Sequence, residues 1–306
     1  MKLEISKTKN LYFALSSAFI GIGIIAMIIS QITLGAPLRL GLDFTGGTLV
    51  QLRFTPKAPD PTKVRQVVDK LGITNIQQIG DQSIALRTKT LTQAERTKLI
   101  ADVKAGLGQA EIERVESVGP TLGQELLTNG LLAIFISLIG ILGYLAIRFQ
   151  FDYAICAAIA LIHDVLVTLG VFSILGLVFK IETDTLFVVA MLTIIGFSVQ
   201  DTVVVYDRIR ENLKFISRKR PFSEIVDDSV NQTMARSINT TVTALLVLLP
   251  LCLFGGENIR YFALALILGF ISGTYSSIFN ASALLIWWRE RQAATPTKAP
   301  KTAKGT

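Results

Sequence analysis

A carboxylate inside an apolar stretch is the side chain of this sequence with the clearest chemical potential. Asp201 lies near the end of a long apolar run, and five uncharged residues separate it from the next charge, Asp207. With a helical rise of about 1.5 Å per residue, Asp201 lies roughly 9 Å inside the charged boundary. A carboxylate at the centre of a membrane helix costs about 2.5–3.5 kcal/mol, so such residues usually carry protons or ions, or pair with a buried cation. We therefore predict a functional role for Asp201; the alternative is a shallow aspartate that reaches interfacial water.

A cationic partner for Asp201 is offered by Arg236, at the border of another apolar stretch. Asn239 and Thr240 follow it and make that helix end rich in amides and hydroxyls, which suits a wet interior. A carboxylate that alternates between a cation and an apolar environment can bind and release a proton, because both surroundings change its affinity for the proton. The sequence predicts that Arg236 pairs with Asp201; alternatively, Arg236 only anchors its helix at the cytoplasmic border.

Two adjacent ionisable residues, His163 and Asp164, lie within a third apolar run. If this span begins near Tyr153, His163 lies about 15 Å along the helix, near the middle of the bilayer. Such residues are costly unless they face the bundle interior or water. They could belong to a proton pathway, or form a structural polar clamp. We expect a buried histidine rather than a metal ligand, because no second His or Cys lies at ligand spacing.

The remaining motifs indicate packing rather than chemistry. Gly269 and Gly273 form a GxxxG pattern, which predicts close helix packing but is common in membrane helices. Cys156 and Cys252 lie in apolar runs without zinc or redox spacing, which is typical of small core residues. The sequence contains no recognisable hydrolase triad, P-loop or metal-ligand cluster. We therefore expect neither an enzyme nor a bound cofactor or metal.

The elements that must position these side chains are membrane helices. Of the 306 residues, 51% are hydrophobic and 17% are charged, against about 25% charged residues in soluble domains. Crossing a bilayer takes about 20 apolar residues, and the sequence predicts six transmembrane helices. They are residues 11–33, 126–147, 153–179, 185–206, 237–254 and 260–288. The net charge of +7 comes from Lys and Arg beside these runs and in the tail, which indicates membrane topology and no nucleic-acid binding.

The distribution of positive charge assigns a side to each connection. Lys and Arg residues precede the first span, lie between spans two and three and between spans four and five, and follow span six. The positive-inside rule then places both termini in the cytoplasm. Residues 1–10 form a cytoplasmic N-terminus, residues 126–292 contain spans two to six, and residues 293–306 form a disordered cytoplasmic tail. The first apolar run is too long for a signal peptide, so we expect a retained span.

A small α+β domain is predicted between spans one and two, at residues 34–125 on the extracytoplasmic side. Strand composition at 47–54 precedes a helix at 61–71, two short strands at 75–79 and 83–86, a helix at 92–107 and a strand at 111–118. Thr92 and Glu95 predict a capping box for the second helix. The order βαββαβ is typical of a ferredoxin-like domain.

A cytoplasmic amphipathic segment is predicted at residues 207–235. Apolar residues recur there at helical intervals among charges. We expect it to lie along the inner membrane surface, in contact with lipids; a solvated connecting helix is the alternative.

Several stretches together resemble the SecD/SecF family of bacterial protein-export subunits, within the resistance-nodulation-division superfamily. The residues that carry this resemblance are GLDFTGG at 41–47, VGP at 118–120, HDV at 163–165, the run 196–212, NQT at 231–233 with Arg236, Asn239 and Thr240, and GTYSS at 273–277. The resemblance covers nearly the whole chain except the tail. The short outer domain is typical of the smaller of the family's two subunits, because the larger subunit, SecD, has a much larger outer region.

The resemblance implies a multi-pass protein of the bacterial inner membrane that works with SecD. Together they assist the SecYEG channel, and indirectly the SecA ATPase, by drawing exported unfolded chains outward with the proton gradient. The family's aspartate in span four and arginine in span five belong to the proton path, and they match Asp201 and Arg236. The family usually has Asn before this aspartate, where this chain has Gln200; both side chains are amides, so the departure does not contradict the resemblance.

Three functions are therefore compared. The first is a proton-coupled helper of protein translocation, in which protonation of Asp201 biases the outer domain between positions. The second is a small-molecule or lipid exporter of the same superfamily, which needs a substrate cleft in a larger outer region. The third is a passive scaffold of the translocon, for which Asp201 is dispensable.

Overall fold

The chain forms two compact units in a computed structural model that describes residues 3–68, 73–108, 110–215 and 220–294. The helical unit contains the described residues up to Leu38, Ile134–Ile181 and those from Val189 onward. The α+β unit contains Arg39–Ala133 and Glu182–Val188. The predicted tail lies outside the described residues from position 295 onward.

Long apolar helices dominate the described chain, and six are long and apolar enough to cross a membrane, which confirms the predicted number. The bounds of all helices are α1 Ile5–Leu34, α2 Leu42–Thr45, α3 Pro61–Val68, α4 Gln93–Leu107, α5 Pro120–Arg148, α6 Phe151–Val178, α7 Thr185–Phe215, α8 Phe222–Phe254, α9 Glu257–Tyr275 and α10 Ser282–Ala294. A π-helical turn, Ser276–Ala281, joins α9 to α10, so the sixth span is one interrupted helix.

Small residues set the closest approaches between helices of the helical unit. A Cβ atom on Gly23 of α1 would lie 2.9 Å from Cα of Gly170 on α6, so these two backbones touch. A Cβ atom on Gly269 would lie 2.3 Å from the side chain of Ile194, which is fully buried. Such contacts let helices pack in an apolar solvent, where van der Waals contact replaces the hydrophobic effect as the driving force.

The segment 207–235 belongs to two long helices and is not a separate surface helix. Helix α7 continues to Phe215 and α8 begins at Phe222, while residues 216–219 lie outside the described chain. Ile209, Val226 and Val230 are fully buried in the core of the helical unit. The prediction that their apolar face lies on the membrane surface is wrong, because that face packs on protein.

The α+β unit contains one antiparallel sheet. Its strands are β1 Gly47–Phe54, β2 Ile73–Ile79, β3 Ser83–Thr88 and β4 Ala110–Val118, arranged in the order β2-β3-β1-β4. Alternate residues of β1 and β3 pack against α3 and α4 in a core that contains Val50, Leu52, Val64, Leu86 and Leu99. The period-two alternation of strands explains why these apolar residues share one face of the sheet.

The capping box predicted for α4 is present. The hydroxyl of Thr92 accepts from the backbone N–H of Glu95, and the Glu95 carboxylate accepts from the backbone N–H of Thr92. These two bonds satisfy helix-end donors that would otherwise lack partners. The helix predicted at 61–71 is described only as far as Val68, because residues 69–72 lie outside the described chain.

The stretch at residues 41–47, here named the glycine junction, contains α2, which the sequence did not predict. The backbone N–H of Gly41 donates to the carbonyl of Thr183 at 2.8 Å. The carboxylate of Asp43 accepts from the backbone N–H of Thr185 at 3.1 Å and from its hydroxyl. Because Thr185 is the first residue of α7, Asp43 caps that helix from a distant part of the chain.

Backbone conformations available only to glycine complete the junction. Gly46 has φ +68°, and a Cβ atom there would lie 2.9 Å from Cα of Pro120. Gly47 has φ +120°, and a Cβ atom there would lie 2.6 Å from the carbonyl oxygen of Thr88. A side chain is excluded at both positions for two reasons. The positive φ favours glycine, and backbone atoms of Pro120 and Thr88 occupy the space that a Cβ atom would need.

Candidate functional site

Asp201, on α7, is half-buried and has one hydrogen-bond donor within reach. The hydroxyl of Ser237, on α8, donates to its Oδ1 at 2.5 Å. Its second oxygen, Oδ2, is buried and has no hydrogen-bond partner in the described part of the protein. A buried carboxylate oxygen without a partner is a strong acceptor that attracts a proton, a water molecule or a cation.

A small cavity adjoins Asp201. It has a volume of about 30 Å³, enough for at least one water molecule. The cavity-lining residues are Phe197, Gln200, Asp201, Val204, Arg236 and Thr240. Asp201, Arg236, Gln200 and Thr240 therefore meet here, whereas three other residues suggested by the sequence, Asn239, His163 and Asp164, do not line the cavity.

Arg236 lies near Asp201 without touching it. The field of its guanidinium reaches the Asp201 carboxyl. However, among the described residues the structure contains no ion pair between the two side chains. The expected direct pair is thus not present, because the next residue on α8, Ser237, holds the carboxylate. Both charged groups border the same cavity, so water can connect them.

Asp164, on α6, is the more deeply buried carboxylate, with 0% exposure. Oδ1 accepts from Ser272 at 2.8 Å and lies 3.0 Å from Nδ1 of His163. Oδ2 accepts from the hydroxyls of Ser198 and Ser276, both at 2.6 Å. We call His163 and these three serines the Asp164 cage. The three hydroxyls donate to the carboxylate, and the His163 tautomer with its proton on Nδ1 fills the fourth acceptor position, which explains how Asp164 tolerates complete burial.

Further hydroxyl pairs extend this polar interior. Thr202 on α7 pairs with Ser277 of the π-helical turn at 2.8 Å. Thr241 on α8 pairs with Thr274 on α9. Turns of π-helix are often found at functional sites, and this one supplies hydroxyls to both Asp164 and α7.

His163 is buried beside an aromatic ring and the carboxylate of Asp164. Its ring lies 6.2 Å from that of Tyr275. The Tyr275 hydroxyl lies 3.4 Å from the Ser16 hydroxyl of α1, which in turn exchanges hydrogen bonds with Asn280. In the described chain, no group of three His, Cys, Asp or Glu side chains is arranged as a metal site. His163 is thus buried and has one carboxylate contact, with Asp164.

The glycines of the GxxxG pattern pack inside the chain. Gly269 faces Ile194 and Gly273 faces Ser198, where a Cβ atom would lie 3.2 Å from that of the serine. These glycines let α9 approach α7 closely enough for the Asp164 cage to form. The close helix packing that the GxxxG pattern predicts is thus present within the chain, between α9 and α7.

Sequence reasoning missed the serines that hold both carboxylates. Ser237 and Ser198 carry no signal of their own, since single serines are frequent in membrane helices. Ser237 directly follows Arg236, and Ser198 precedes Asp201 by one helical turn. Their spacing to the charged residues is the only clue that the sequence offers.

These features define a class: a polytopic helical membrane protein with one caged and one partly open carboxylate among its helices. Residues 97–291 match the family model described as protein export membrane protein SecD/SecF, C-terminal, and residues 32–58 match the SecD/SecF GG motif. The chain therefore belongs to the SecD/SecF family.

Relatives align along almost the full length of the chain. A protein translocase subunit SecF of Synechocystis sp. is 46% identical over 301 residues, covering 95% of both chains. A SecF of Thermobaculum terrenum is 44% identical over 273 residues, covering 83% of this chain and 86% of its own. A crystal structure of a Thermus SecDF matches with a TM-score of 0.82 and 32% identity, over 95% of this chain and 39% of that longer chain.

Proposed function

We propose that the chain is a subunit of the protein-export machinery of a bacterial inner membrane, and that Asp201 carries protons that drive export. The observation that supports this most directly is Oδ2 of Asp201. It is buried, lacks a partner and borders a cavity that Arg236 also lines. A carboxylate in this position can receive a proton from the cavity and return it there, because the cavity has room for water.

The coupling relies on the charge change at Asp201. When the carboxyl is ionised, Arg236 attracts it through the cavity; when it is protonated, that attraction is lost. The electrostatic attraction between α7 and α8 would therefore weaken when Asp201 binds a proton and recover when it releases the proton. One proton that crosses 100 mV releases about 2.3 kcal/mol, so export of a chain needs several protons.

Both chain termini are proposed to lie in the cytoplasm, with the α+β unit outside and ferredoxin-like. Arg148 pairs with Asp207, and Arg289 with Asp152, at the helix ends that the positive-inside rule assigns to the cytoplasm. The strand order β2-β3-β1-β4 supports the ferredoxin-like topology. Protease cleavage at Gln82 from the cytoplasmic side of sealed vesicles would contradict this orientation.

The proposed partners are SecD, the SecYEG channel, SecA indirectly, exported unfolded chains and membrane lipids. The matched SecDF is described as a translocon-associated membrane protein, which supports the pairing with a SecD-type partner. Helix α5 exposes apolar side chains, including Phe135, Ile136 and Ile139. Lipid or a partner helix must cover such a face.

The test is gradient-dependent translocation into vesicles that carry Asp201→Asn. This change removes the titratable group while keeping its size, so the protein should insert and bind its partner. Export stimulated by the gradient should be lost, while export driven by the ATPase alone should persist. Asp207→Asn is the matched control, because it removes the same charge farther along α7, where the carboxylate pairs with Arg148 outside the cavity. A full gradient response in Asp201→Asn would instead favour the passive scaffold.

Variants of Arg236 provide a second test in the same translocation experiment. Arg236→Ala should lose the gradient response because the carboxylate loses its cation, and Arg236→Lys should recover part of it. The rival exporter function would appear as gradient-driven efflux of a small molecule or lipid without any effect on protein translocation.

A further inference from the structure

We propose that Asp164 is a positioning residue that fixes the rotation of α7 through Ser198 and thereby aims the carboxyl of Asp201. Asp164 itself would not carry the proton. The inference rests on the proposed function, because that function assigns the proton to Asp201. It gives Asp164 a different role from Asp201, although the sequence alone suggested one proton pathway for both carboxylates.

The Asp164 cage is saturated. Three serine hydroxyls and Nδ1 of His163 approach the two oxygens, two groups to each, and they come from α6, α7, α9 and the π-helical turn. A carboxylate has about four acceptor positions. With all four in use and no exposed surface, a proton could reach Asp164 only by breaking a hydrogen bond in the core. Asp201 differs because its Oδ2 is free and borders a cavity.

Ser198 connects this cage to Asp201. It lies three residues before Asp201 on α7, so the two side chains are on the same side of the helix. Gly273 presses against Ser198 from α9 and leaves no space for it to move toward that helix. A rotation of α7 would therefore break the bond from Ser198 to Asp164 at 2.6 Å and the bond from Ser237 to Asp201 at 2.5 Å together.

Charge and geometry must be separated in any test. The charged groups whose fields reach Asp201 are Arg236 on α8 and Asp164 on α6. Replacing Asp164 changes both the field and the cage. Ser198→Ala keeps both charges and removes only the link from α7. Ser272→Ala is its matched control, because it removes an equivalent donor to Asp164 from α9.

The first experiment measures the modification of Asp201 by dicyclohexylcarbodiimide, which reacts with protonated carboxyls in apolar sites. The full chain in membranes is labelled across a pH series, and mass spectrometry quantifies the modified peptide, with Asp201→Asn as the blank. Ser198→Ala should shift the labelling midpoint by about one pH unit, because the carboxyl changes its surroundings. Ser272→Ala should shift it by less than about a third of that. Equal shifts, or no shift in Ser198→Ala, would overturn the positioning role.

The second experiment compares Asp164→Asn with Asp164→Ala in gradient-driven export. An amide can keep four hydrogen bonds in the cage, because the serine hydroxyls can reverse from donor to acceptor. Asp164→Asn should therefore retain a substantial part of the response, within about threefold, and Asp164→Ala should lose about tenfold or more. If Asp164→Asn is as inactive as Asp201→Asn, Asp164 carries protons itself and the proposal is wrong.

The two readouts distinguish failure of this inference from failure of the proposed function. If Asp201→Asn exports normally, the proton role of Asp201 fails, yet the labelling midpoints still report whether Ser198 positions its carboxyl. Recovery of each variant from the membrane verifies insertion. Since Ser198→Ala removes only one hydroxyl, it remains informative if Asp164→Ala does not fold.

Discussion

The glycine junction and the Asp164 cage achieve close packing in opposite ways. In the junction, backbone meets backbone: the absent side chain of Gly47 leaves room for the carbonyl of Thr88. In the cage, side chains meet side chains, and serine hydroxyls from three elements converge on Asp164. The junction depends on glycines, which have no side chain, and the cage depends on the polar atoms of its side chains.

The two regions therefore differ in how they tolerate change. Backbone atoms in a junction cannot move without moving a strand or a helix. Hydroxyls can rotate and exchange donor and acceptor roles, so a cage can rearrange after a substitution. We infer that a substitution in the junction displaces the backbone, while a conservative substitution in the cage can be accommodated by reorienting hydroxyls.

The largest effect is expected from Gly47→Ala. A Cβ atom would lie 2.6 Å from a backbone carbonyl oxygen at φ +120°, and we expect the α+β unit to lose about 3 kcal/mol or more. Gly80→Ala is the matched control: its φ is +62° with nothing within 4 Å, so only conformational strain of about 1 kcal/mol remains. Hydrogen exchange of the β1 amides in the full chain measures both. Equal effects would show that the backbone contact contributes nothing.

A smaller effect is expected from Gly269→Ala in the helical unit. The added methyl would meet the buried side chain of Ile194 and no backbone atom among its nearest neighbours, so we expect a loss of about 1–3 kcal/mol. Gly143→Ala serves as the control, because nothing lies within 4 Å of its Cβ position and alanine favours a helix. Thermal unfolding in detergent compares them. A loss larger than that of Gly47→Ala would contradict the contrast between backbone and side-chain contacts.

The smallest effect concerns Glu113 at the sheet edge. The hydroxyl of Ser83, with Arg53 and Gln51, lowers the pKa of its carboxyl below the usual value. A carboxyl with a lowered folded-state pKa contributes stability at pH above the unfolded-state pKa and loses it as pH falls through the folded-state value. Because the group is near the surface, the contribution should be below about 1 kcal/mol. Proteolysis of the α+β unit between pH 7 and pH 3 should show less acid sensitivity in Glu113→Gln than in the unmodified chain.

Local patterns predicted the architecture well. Apolar runs gave six spans, and strand composition with the Thr92 capping box predicted every strand and both longer helices of the α+β unit. These signals are local because helix ends and strand alternation depend on neighbouring residues. The short α2 was missed because its partners, Thr183 and Thr185, lie more than a hundred residues later in the chain.

The sequence predicted the charged residues of the site and two of their polar neighbours. Asp201, Arg236, Gln200 and Thr240 line one cavity, since charges in apolar runs are recognisable. The serines that hold the carboxylates were not, because the contact from Ser272 to Asp164 spans 108 residues and depends on which helix faces meet. The prediction that Arg236 pairs directly with Asp201 was wrong for the same reason. Successive residues on a helix point about 100° apart, and it is Ser237, the residue after Arg236, that faces Asp201.

The π-helical turn, Ser276–Ala281, makes the last span a helix with one residue too many. All residues after it are turned by about 100° relative to an uninterrupted α-helix. Deleting one residue there would leave Ser272 in place but rotate Leu285 and Ile286, both fully buried, out of the core. In a relative that lacks one residue at this point, the residues after the turn would therefore face in a different direction. A sequence alignment without a gap there would pair side chains that are not equivalent in the structure.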